Sequence, residues 1–235
     1  MSKTNELRGL SMNVSENAKA NTVSAKCQVD KYVDIYENGG AVRVLFIGNS
    51  ITKHAPAENI GWSGNWGMAA SCAENDYVHR TMTGIREKFG TADYCVAQLA
   101  EWERRYLQGD EVLEEYYTKA RDFAADIIIV RIGENINRDE NKKISCKPYY
   151  DSMIKFFKVK ENARVIVTDN FWSIEALNKA FKEVSDENGY TFCSISDLEQ
   201  DERTMAKGLF KHEGVAVHPG DYGMECIAQR ILGKI

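Results

Sequence analysis

Short apolar runs alternate along this chain with longer segments of mixed apolar and polar residues. Runs of strand length and character occupy residues 42–47, 93–99, 127–132, 164–168 and 190–195. A strand that is buried on both faces of a parallel sheet reads as a continuous apolar run of this kind. The pattern therefore predicts about five parallel strands, with the run at residues 127–132 near the centre of the sheet.

The segments between these runs have helical character. Helices are predicted over residues 67–88, 111–123, 148–157, 174–187 and 223–232. Pro148 suits the first turn of the helix over residues 148–157. Asn188-Gly189 ends the helix over residues 174–187. Regular alternation of strands and helices predicts an α/β protein, a flavodoxin-like three-layer α/β/α sandwich with helices on both faces of the sheet.

The N-terminal residues do not share this alternation. Residues 1–25 are polar and poor in aromatic residues, which is typical of a mobile arm. The segment Lys31–Glu37 alternates apolar and polar residues before Asn38-Gly39-Gly40, which favours a short extra strand. We therefore divide the chain into an N-terminal arm with that strand, residues 1–40, and one domain, residues 41–235.

Composition excludes several classes of function. Of the 235 residues, 43% are apolar and 28% charged, and the net charge of −5 provides no basic field for nucleic acid or an anionic membrane. No apolar stretch has the length of a membrane span or of a signal-peptide core, so a cytoplasmic protein is expected. The six cysteines are scattered and the four histidines lack metal-ligand spacing, so neither a disulfide framework nor a metal site is predicted. No glycine-rich nucleotide loop follows the first strand, and no cofactor is expected.

Polar residues that are able to do chemistry follow two of the strands. Gly48-Asn49-Ser50 comes directly after the first strand, and Gly133-Glu134-Asn135 follows the third. His218-Pro219 lies near the C-terminus. Because open α/β sheets place ligands at the carboxyl ends of their strands, Ser50 and Asn135 are predicted at one edge. Each residue also has a simpler interpretation: Ser50 as a solvated turn residue, Asn135 in an Asx turn, and His218 as a loop histidine.

Taken in order, these segments resemble the sequence blocks of the SGNH hydrolases, also called GDSL-type esterases. The resemblance covers residues 42–235 and implies that Ser50 is a nucleophile activated by His218, forming an acyl-enzyme from an ester. It further implies an oxyanion hole made by the backbone N–H of Ser50, the backbone N–H of a second-block glycine and the side-chain amide of Asn135. Gly67, at the start of a predicted helix, fits the second block best. Gly61 and Gly64 in the same loop are the alternatives.

The chain departs from the family pattern beside the histidine. The family usually has an aspartate three residues before the histidine, and Val215 occupies that position here. The carboxylate of Glu213 or a backbone carbonyl would then have to orient the ring of His218. We favour the carbonyl, which would leave a Ser–His dyad.

Evidence about the substrate is limited to aromatic residues and to the resemblance. Trp62, Trp66 and Trp172 lie in predicted loops where they either line the substrate cleft or anchor the loops. The resemblance implies a small-molecule ester substrate with a small acyl group, such as acetyl on carbohydrate. A lysophospholipase or thioesterase type of hydrolase and a non-catalytic carbohydrate-binding relative are the alternatives. The oligomeric state stays open.

Overall fold

The computed structural model describes residues 31–235, so the predicted arm at residues 1–25 lies outside the described part. The described chain contains one six-stranded sheet with the strand order β1-β3-β2-β4-β5-β6. Its strands are β1 (Val33–Tyr36), β2 (Val42–Gly48), β3 (Ala92–Gln98), β4 (Ile127–Arg131), β5 (Arg164–Thr168) and β6 (Thr191–Cys193). Strands β2 to β6 are parallel, and β1 pairs antiparallel with β3 at one edge.

Helices connect the parallel strands and cover the sheet. They are α1 (Tyr77–Phe89), α2 (Ala100–Arg104), α3 (Asp110–Tyr116), α4 (Thr118–Asp122), α5 (Arg138–Lys143), α6 (Lys147–Phe157), α7 (Glu175–Asn188), α8 (Glu213–Ala216) and α9 (Asp221–Leu232). Short 3₁₀ turns at Glu58–Ile60, Ala73–Asn75, Tyr106–Gln108, Ser196–Gln200 and Glu202–Thr204 complete the connections.

Alternate residues of each central strand face opposite layers of the molecule. In β2, Leu45 and Ile47 join the core that contains residues of α3, α6 and α7. Val44 and Phe46 join the core that contains residues of α1 and α9. Both cores are apolar and inaccessible to water, as expected for a sheet sandwiched between helices. The predicted three-layer α/β/α architecture is confirmed.

Two predicted helices differ from the observed ones. The helix predicted from Gly67 begins ten residues later at Tyr77, because the side chain of Asp76 accepts a hydrogen bond from the N–H of His79 and caps α1 there. The helix predicted over residues 111–123 is two short helices, α3 and α4, that meet at Tyr117. The hydroxyl of Tyr117 donates to the carbonyl of Gln98 at 2.9 Å, so this buried tyrosine is fixed against the end of β3.

Two bulk features concern the described residues alone. Their five cysteines are free thiols, and Cys27 lies outside the described part. Between residues 31 and 235 there is no helix with the length and apolar character that crossing a bilayer requires.

Candidate active site

Ser50 lies on a tight turn that follows the central strand β2. The turn is closed by hydrogen bonds from the N–H groups of Thr52 and Lys53 to the carbonyl of Asn49, each 2.9 Å. It requires glycine at position 48, because a Cβ there would lie 1.7 Å from Oγ1 of Thr52. Since β2 is flanked by β3 and β4, the segments that follow those two strands lie on either side of Ser50.

The hydroxyl of Ser50 contacts the imidazole of His218. Its Oγ lies 2.8 Å from Nε2 of His218, although the two residues are 168 positions apart in the sequence. The other ring nitrogen, Nδ1, lies 2.6 Å from the carbonyl oxygen of Gly214. A carbonyl can only accept, so Nδ1 carries the proton and donates it, and Nε2 of the neutral ring accepts from the Ser50 hydroxyl.

The surroundings of His218 favour its neutral form. Burial lowers the pKa of His218 to about 4, and the hydrogen bond to Gly214 opposes that shift without reversing it. The indole of Trp172 packs edge-on against the ring, with centroids 5.0 Å apart, and contributes to this burial. A neutral histidine hydrogen-bonded to a serine is the protonation state that a general base needs.

The residue in place of the usual aspartate has a packing role. The side chain of Val215 is fully buried in a small apolar cluster with Trp62 and Met68. Glu213 is exposed to solvent, and the Gly214 carbonyl occupies the position on Nδ1. The observed pair is therefore a Ser–His dyad with a backbone acceptor.

Asn135 is held from behind by a buried glutamate of α2. Glu103 is fully buried, and its Oε2 accepts from Nδ2 of Asn135 at 2.5 Å. Its Oε1 accepts from the backbone N–H groups of Gly133 at 2.7 Å and of Asn135 at 3.2 Å, and from Nδ2 of Asn49 at 3.0 Å. All four partners are donors, so the carboxylate acts as an acceptor throughout. One amide N–H of Asn135 is fixed in this way, and the second is left for the cavity.

A second buried carboxylate completes the network beneath Ser50. Glu134 forms an ion pair with the fully buried Arg131, with 2.6 Å between Oε1 and Nη1. It also accepts from Nδ2 of Asn49 at 2.6 Å, while Arg131 donates to Oδ1 of Asn49. Arg131 holds the pKa of Glu134 below its usual value against the effect of burial. Burial, with the nearby Glu134 charge, raises the pKa of Glu103. Asn49, the residue before Ser50, is thus held through both Nδ2 and Oδ1 of its side-chain amide.

Ser50, His218 and Asn135 line one cavity of about 240 Å³. Its apolar surface comes from Ile60, Met68 and Ala100. Its polar surface further includes Gln98, Arg104, His54 and His212. The three residues that the sequence singled out on separate segments are therefore brought together at one site.

Gly67 does not occupy the predicted position. Its N–H donates to the buried carboxylate of Asp76 at 3.0 Å, and Gly67 does not line the cavity. A Cβ at Gly67 would lie 2.6 Å from the carbonyl oxygen of Ile51, so the glycine permits close packing behind the nucleophile turn. Gly61 and Gly64 do not line the cavity either. Since α1 begins at Tyr77, the prediction that a helix starts at Gly67 is wrong.

Ala100 is a cavity residue that the sequence analysis did not identify. β3 pairs with β2 so that Gln98 lies opposite Gly48, and the N–H of Leu99 donates to the carbonyl of Gly48 at 2.6 Å. Ala100 therefore comes beside Ser50 and lines the cavity. Its N–H makes a 3.2 Å contact with the side-chain oxygen of Gln98. The available signal was positional: the predicted strand at residues 93–99 had to end near the strand that carries Ser50.

The tryptophans do not form the wall of this cavity. Trp62 donates from its indole to the carbonyl of His54 at 3.0 Å, and Trp66 donates to the carbonyl of Ala70 at 2.9 Å. Their rings pack against each other at 5.7 Å. Both anchor the loop that follows Ser50, and Trp172 packs on His218. Of the two interpretations of the tryptophans, these contacts favour loop anchoring for Trp62 and Trp66, and Trp172 packs on the ring of a cavity residue.

No family model matches this chain, and no curated protein matches it, but several solved structures share its fold. One is a GDSL-like lipase from Parabacteroides merdae ATCC 43184, 17% identical, with a TM-score of 0.55 over 85% of this chain and 98% of that chain. Another is a lipase/acylhydrolase from Enterococcus faecalis, 12% identical, with a TM-score of 0.55 over 83% and 95%. A third is the acetyl xylan esterase AlAXEase, 15% identical, with a TM-score of 0.53 over 83% and 100%. At these identities the similarity shows only that this chain shares the fold of these lipases and esterases, and the activity has to be argued from the site.

Proposed function

We propose that this protein is a serine ester hydrolase that removes small acyl groups, with acetyl groups on carbohydrate as the leading substrate class. One observation carries the proposal: Oγ of Ser50 lies 2.8 Å from Nε2 of a His218 ring whose Nδ1 is bound to the Gly214 carbonyl. A serine hydroxyl is a weak nucleophile until an oriented base removes its proton, and this arrangement supplies that base. A solvated turn serine would not need it.

In the proposed acylation step, His218 accepts the proton of Ser50 while Oγ attacks the ester carbonyl. The tetrahedral oxyanion would receive hydrogen bonds from the backbone N–H groups of Ser50 and Ala100 and from the free amide N–H of Asn135. The N–H of Ser50 has no acceptor among residues 31–235. That of Ala100 would exchange its long contact with Gln98 for the oxyanion. Donors fixed in advance are the largest source of stabilisation for such a transition state.

The second half of the reaction reuses the same groups. His218 gives its proton to the leaving alcohol, whose departure leaves an acyl group on Oγ of Ser50. A water molecule then attacks the acyl carbon while His218 removes its proton, and collapse of the intermediate restores the Ser50 hydroxyl and releases the acid. No step requires a group that the cavity lacks.

Two observations support a small acyl group. The cavity of about 240 Å³ is smaller than most small-molecule sites, whose volumes are roughly 300–1,000 Å³. One of the proteins that share the fold is an acetyl xylan esterase. We extend its acetylated-carbohydrate substrate class to this chain as part of the proposal.

Hydrolysis of p-nitrophenyl acetate by purified wild type and by Ser50→Ala tests this function. We expect the substitution to lower kcat by at least about 10³-fold, because only binding and oxyanion stabilisation would remain. Ser63→Ala is the matched control, since Ser63 is an exposed serine of the following loop. Equal rates in wild type and Ser50→Ala would exclude Ser50 as the nucleophile.

A further inference from the structure

The cavity of the proposed hydrolase contains an arginine that the reaction does not use. Arg104 is the last residue of α2, one helical turn beyond Ala100. Residues four positions apart share a face of a helix, and both side chains line the cavity with Ser50 and His218. Arg104 thus lines the same cavity as the proposed reaction centre.

Arg104 has no polar partner in the described part of the chain. Its neighbour Arg105 donates to Glu101 at 3.2 Å and to Gln108 at 2.7 Å. Glu103, on the other side, is buried and accepts hydrogen bonds from the Asn135 loop and from Asn49. Arg104 is exposed, and no residue between 31 and 235 accepts a hydrogen bond from it.

The cavity has a positive charge, whereas the protein as a whole is negatively charged. The chain carries a net charge of −5, with 35 acidic residues, yet none of the described residues that line the cavity is an aspartate or a glutamate. His54 and His212 add two imidazoles to the same surface. A cavity with a fixed positive charge and no carboxylate attracts anions and repels cationic ligands.

We propose that the ester substrate carries a carboxylate and that Arg104 binds it, an inference that rests on the proposed ester hydrolase function. The guanidinium presents a planar fork of donors that matches a carboxylate in a bidentate arrangement. Among the described residues that line the cavity, Arg104 is the one with a fixed charge, so it balances a single negative charge, as on a carboxylate. That carboxylate belongs either to the acyl group, as in a dicarboxylic half-ester, or to the alcohol, as in an acetylated uronic acid.

Paired substrates distinguish the two sources. p-Nitrophenyl hemisuccinate is compared with p-nitrophenyl butyrate for the acyl group, and an acetylated methyl glucuronoside with the matching methyl glucoside for the alcohol. In one of the pairs, Arg104→Gln should lower the ratio of kcat/KM for the carboxylate ester to that for the neutral ester by about 10- to 100-fold. This is the range expected when a hydrogen bond to a charged group is lost. Arg105→Gln, the adjacent arginine outside the cavity, should leave that ratio unchanged.

Binding measured without turnover separates this inference from the hydrolase function. Calorimetric titration of the Ser50→Ala variant with succinate and with glucuronate should show saturable binding of one of them. Adding Arg104→Gln should weaken that binding by about 10-fold or more, and high salt should weaken it as well. Wild type that hydrolyses the neutral esters, with unchanged ratios in both pairs, would overturn the Arg104 inference alone. Absence of ester hydrolysis would overturn the function, and absence of Arg104-dependent binding would independently overturn the anion site.

Discussion

The two sides of Ser50 are built in different ways. On the proposed oxyanion side, one fully buried carboxylate, Glu103, accepts three hydrogen bonds from the loop with Asn135 and a fourth from Asn49. On the side of the proposed base, His218 is oriented by a single neutral hydrogen bond to the carbonyl of Gly214 in the short helix α8, and residues 211–214 are all exposed. Hydrogen bonds to a charged group are about twice as strong as neutral ones.

This difference indicates that the Asn135 loop is held more rigidly than His218. A triad carboxylate would orient the histidine and stabilise its protonated form, and neither contribution comes from a backbone carbonyl to the same extent. The buried charge instead lies behind the amide that is proposed to face the oxyanion. We therefore expect substitutions beside the proposed oxyanion hole to lower the catalytic rate more than substitutions around the contact that orients His218.

The largest of the following effects is expected for Asn135→Ala. Removal of an oxyanion donor costs roughly 10² to 10³ in kcat, with little change in KM. Steady-state kinetics on p-nitrophenyl acetate measure this loss, and circular dichroism verifies the fold. Asn137→Ala is the control, because Asn137 caps α5 through its side chain and does not line the cavity. An equal loss in both variants would mean that the loop, and not the amide of Asn135, is responsible.

A smaller loss is expected for Glu103→Gln. Glutamine presents one acceptor oxygen and one NH₂ group where four donors converge, so at least one of them faces another donor. Release of the Asn135 amide should lower kcat by about 10- to 100-fold with KM nearly unchanged, because the contact orients a transition-state donor. The exposed-side control is Glu101→Gln, which removes the ion pair with Arg105. A change in KM alone would assign Glu103 to substrate binding.

The pH dependence of kcat/KM provides a further comparison between Glu103 and His218. His218 must be neutral to act as a base, and its pKa of about 4 means that this condition is met until the pH falls through about 4. The pKa of Glu103 is raised above its usual 4.5 by burial and by Glu134, so the carboxylate is protonated first as the pH falls. We predict that the acid limb of kcat/KM in wild type lies above pH 4.5 and follows Glu103.

Glu103→Gln should consequently move the acid limb to lower pH, toward the value of His218. Rates measured between pH 3.5 and 7, with folding followed by fluorescence at each pH, test this shift. An acid limb at the same pH in wild type and variant would remove Glu103 from the titration and assign the limb to His218 or to unfolding.

The smallest effect is expected for Glu213→Gln. Glu213 is exposed, and the acceptor for Nδ1 of His218 is the carbonyl of Gly214. The variant should keep kcat/KM within about threefold of wild type, a change below roughly 0.7 kcal/mol in transition-state stabilisation. A loss of a hundredfold with an intact fold would show that this carboxylate moves onto the histidine during turnover.

The positions of the parallel strands can be predicted directly from the sequence. The apolar runs correspond to β2 to β6 because a strand buried on both faces must be apolar on both faces. Ser50 and Asn135 could be placed near each other because both follow such strands. His218, 168 residues from Ser50, was placed by its motif alone.

The rest of the site depends on contacts that local patterns do not reveal. The helix was predicted to begin at Gly67 because residues 67–76 resemble a helix in composition. The side chain of Asp76 caps α1, which begins at Tyr77. The proposed contribution of Ala100 is a backbone N–H, which any residue type except proline provides, so the identity of the residue carries no signal. Glu103 stands in a segment of charged residues, Glu101 to Arg105, and its burial follows only from how α2 packs against the Asn135 loop.

The central claim, that Ser50 is the nucleophile, is tested most directly by labelling with a fluorophosphonate ester. Wild-type protein should gain the mass of one phosphonyl group, and peptide mapping should locate it on Ser50. Ser50→Ala should gain none, while Ser63→Ala should be labelled as wild type is. His218→Ala should be labelled at least about 100-fold more slowly, since the reaction requires the base. A phosphonyl group on another residue, or no labelling of a wild type that hydrolyses esters, would contradict the assignment of Ser50.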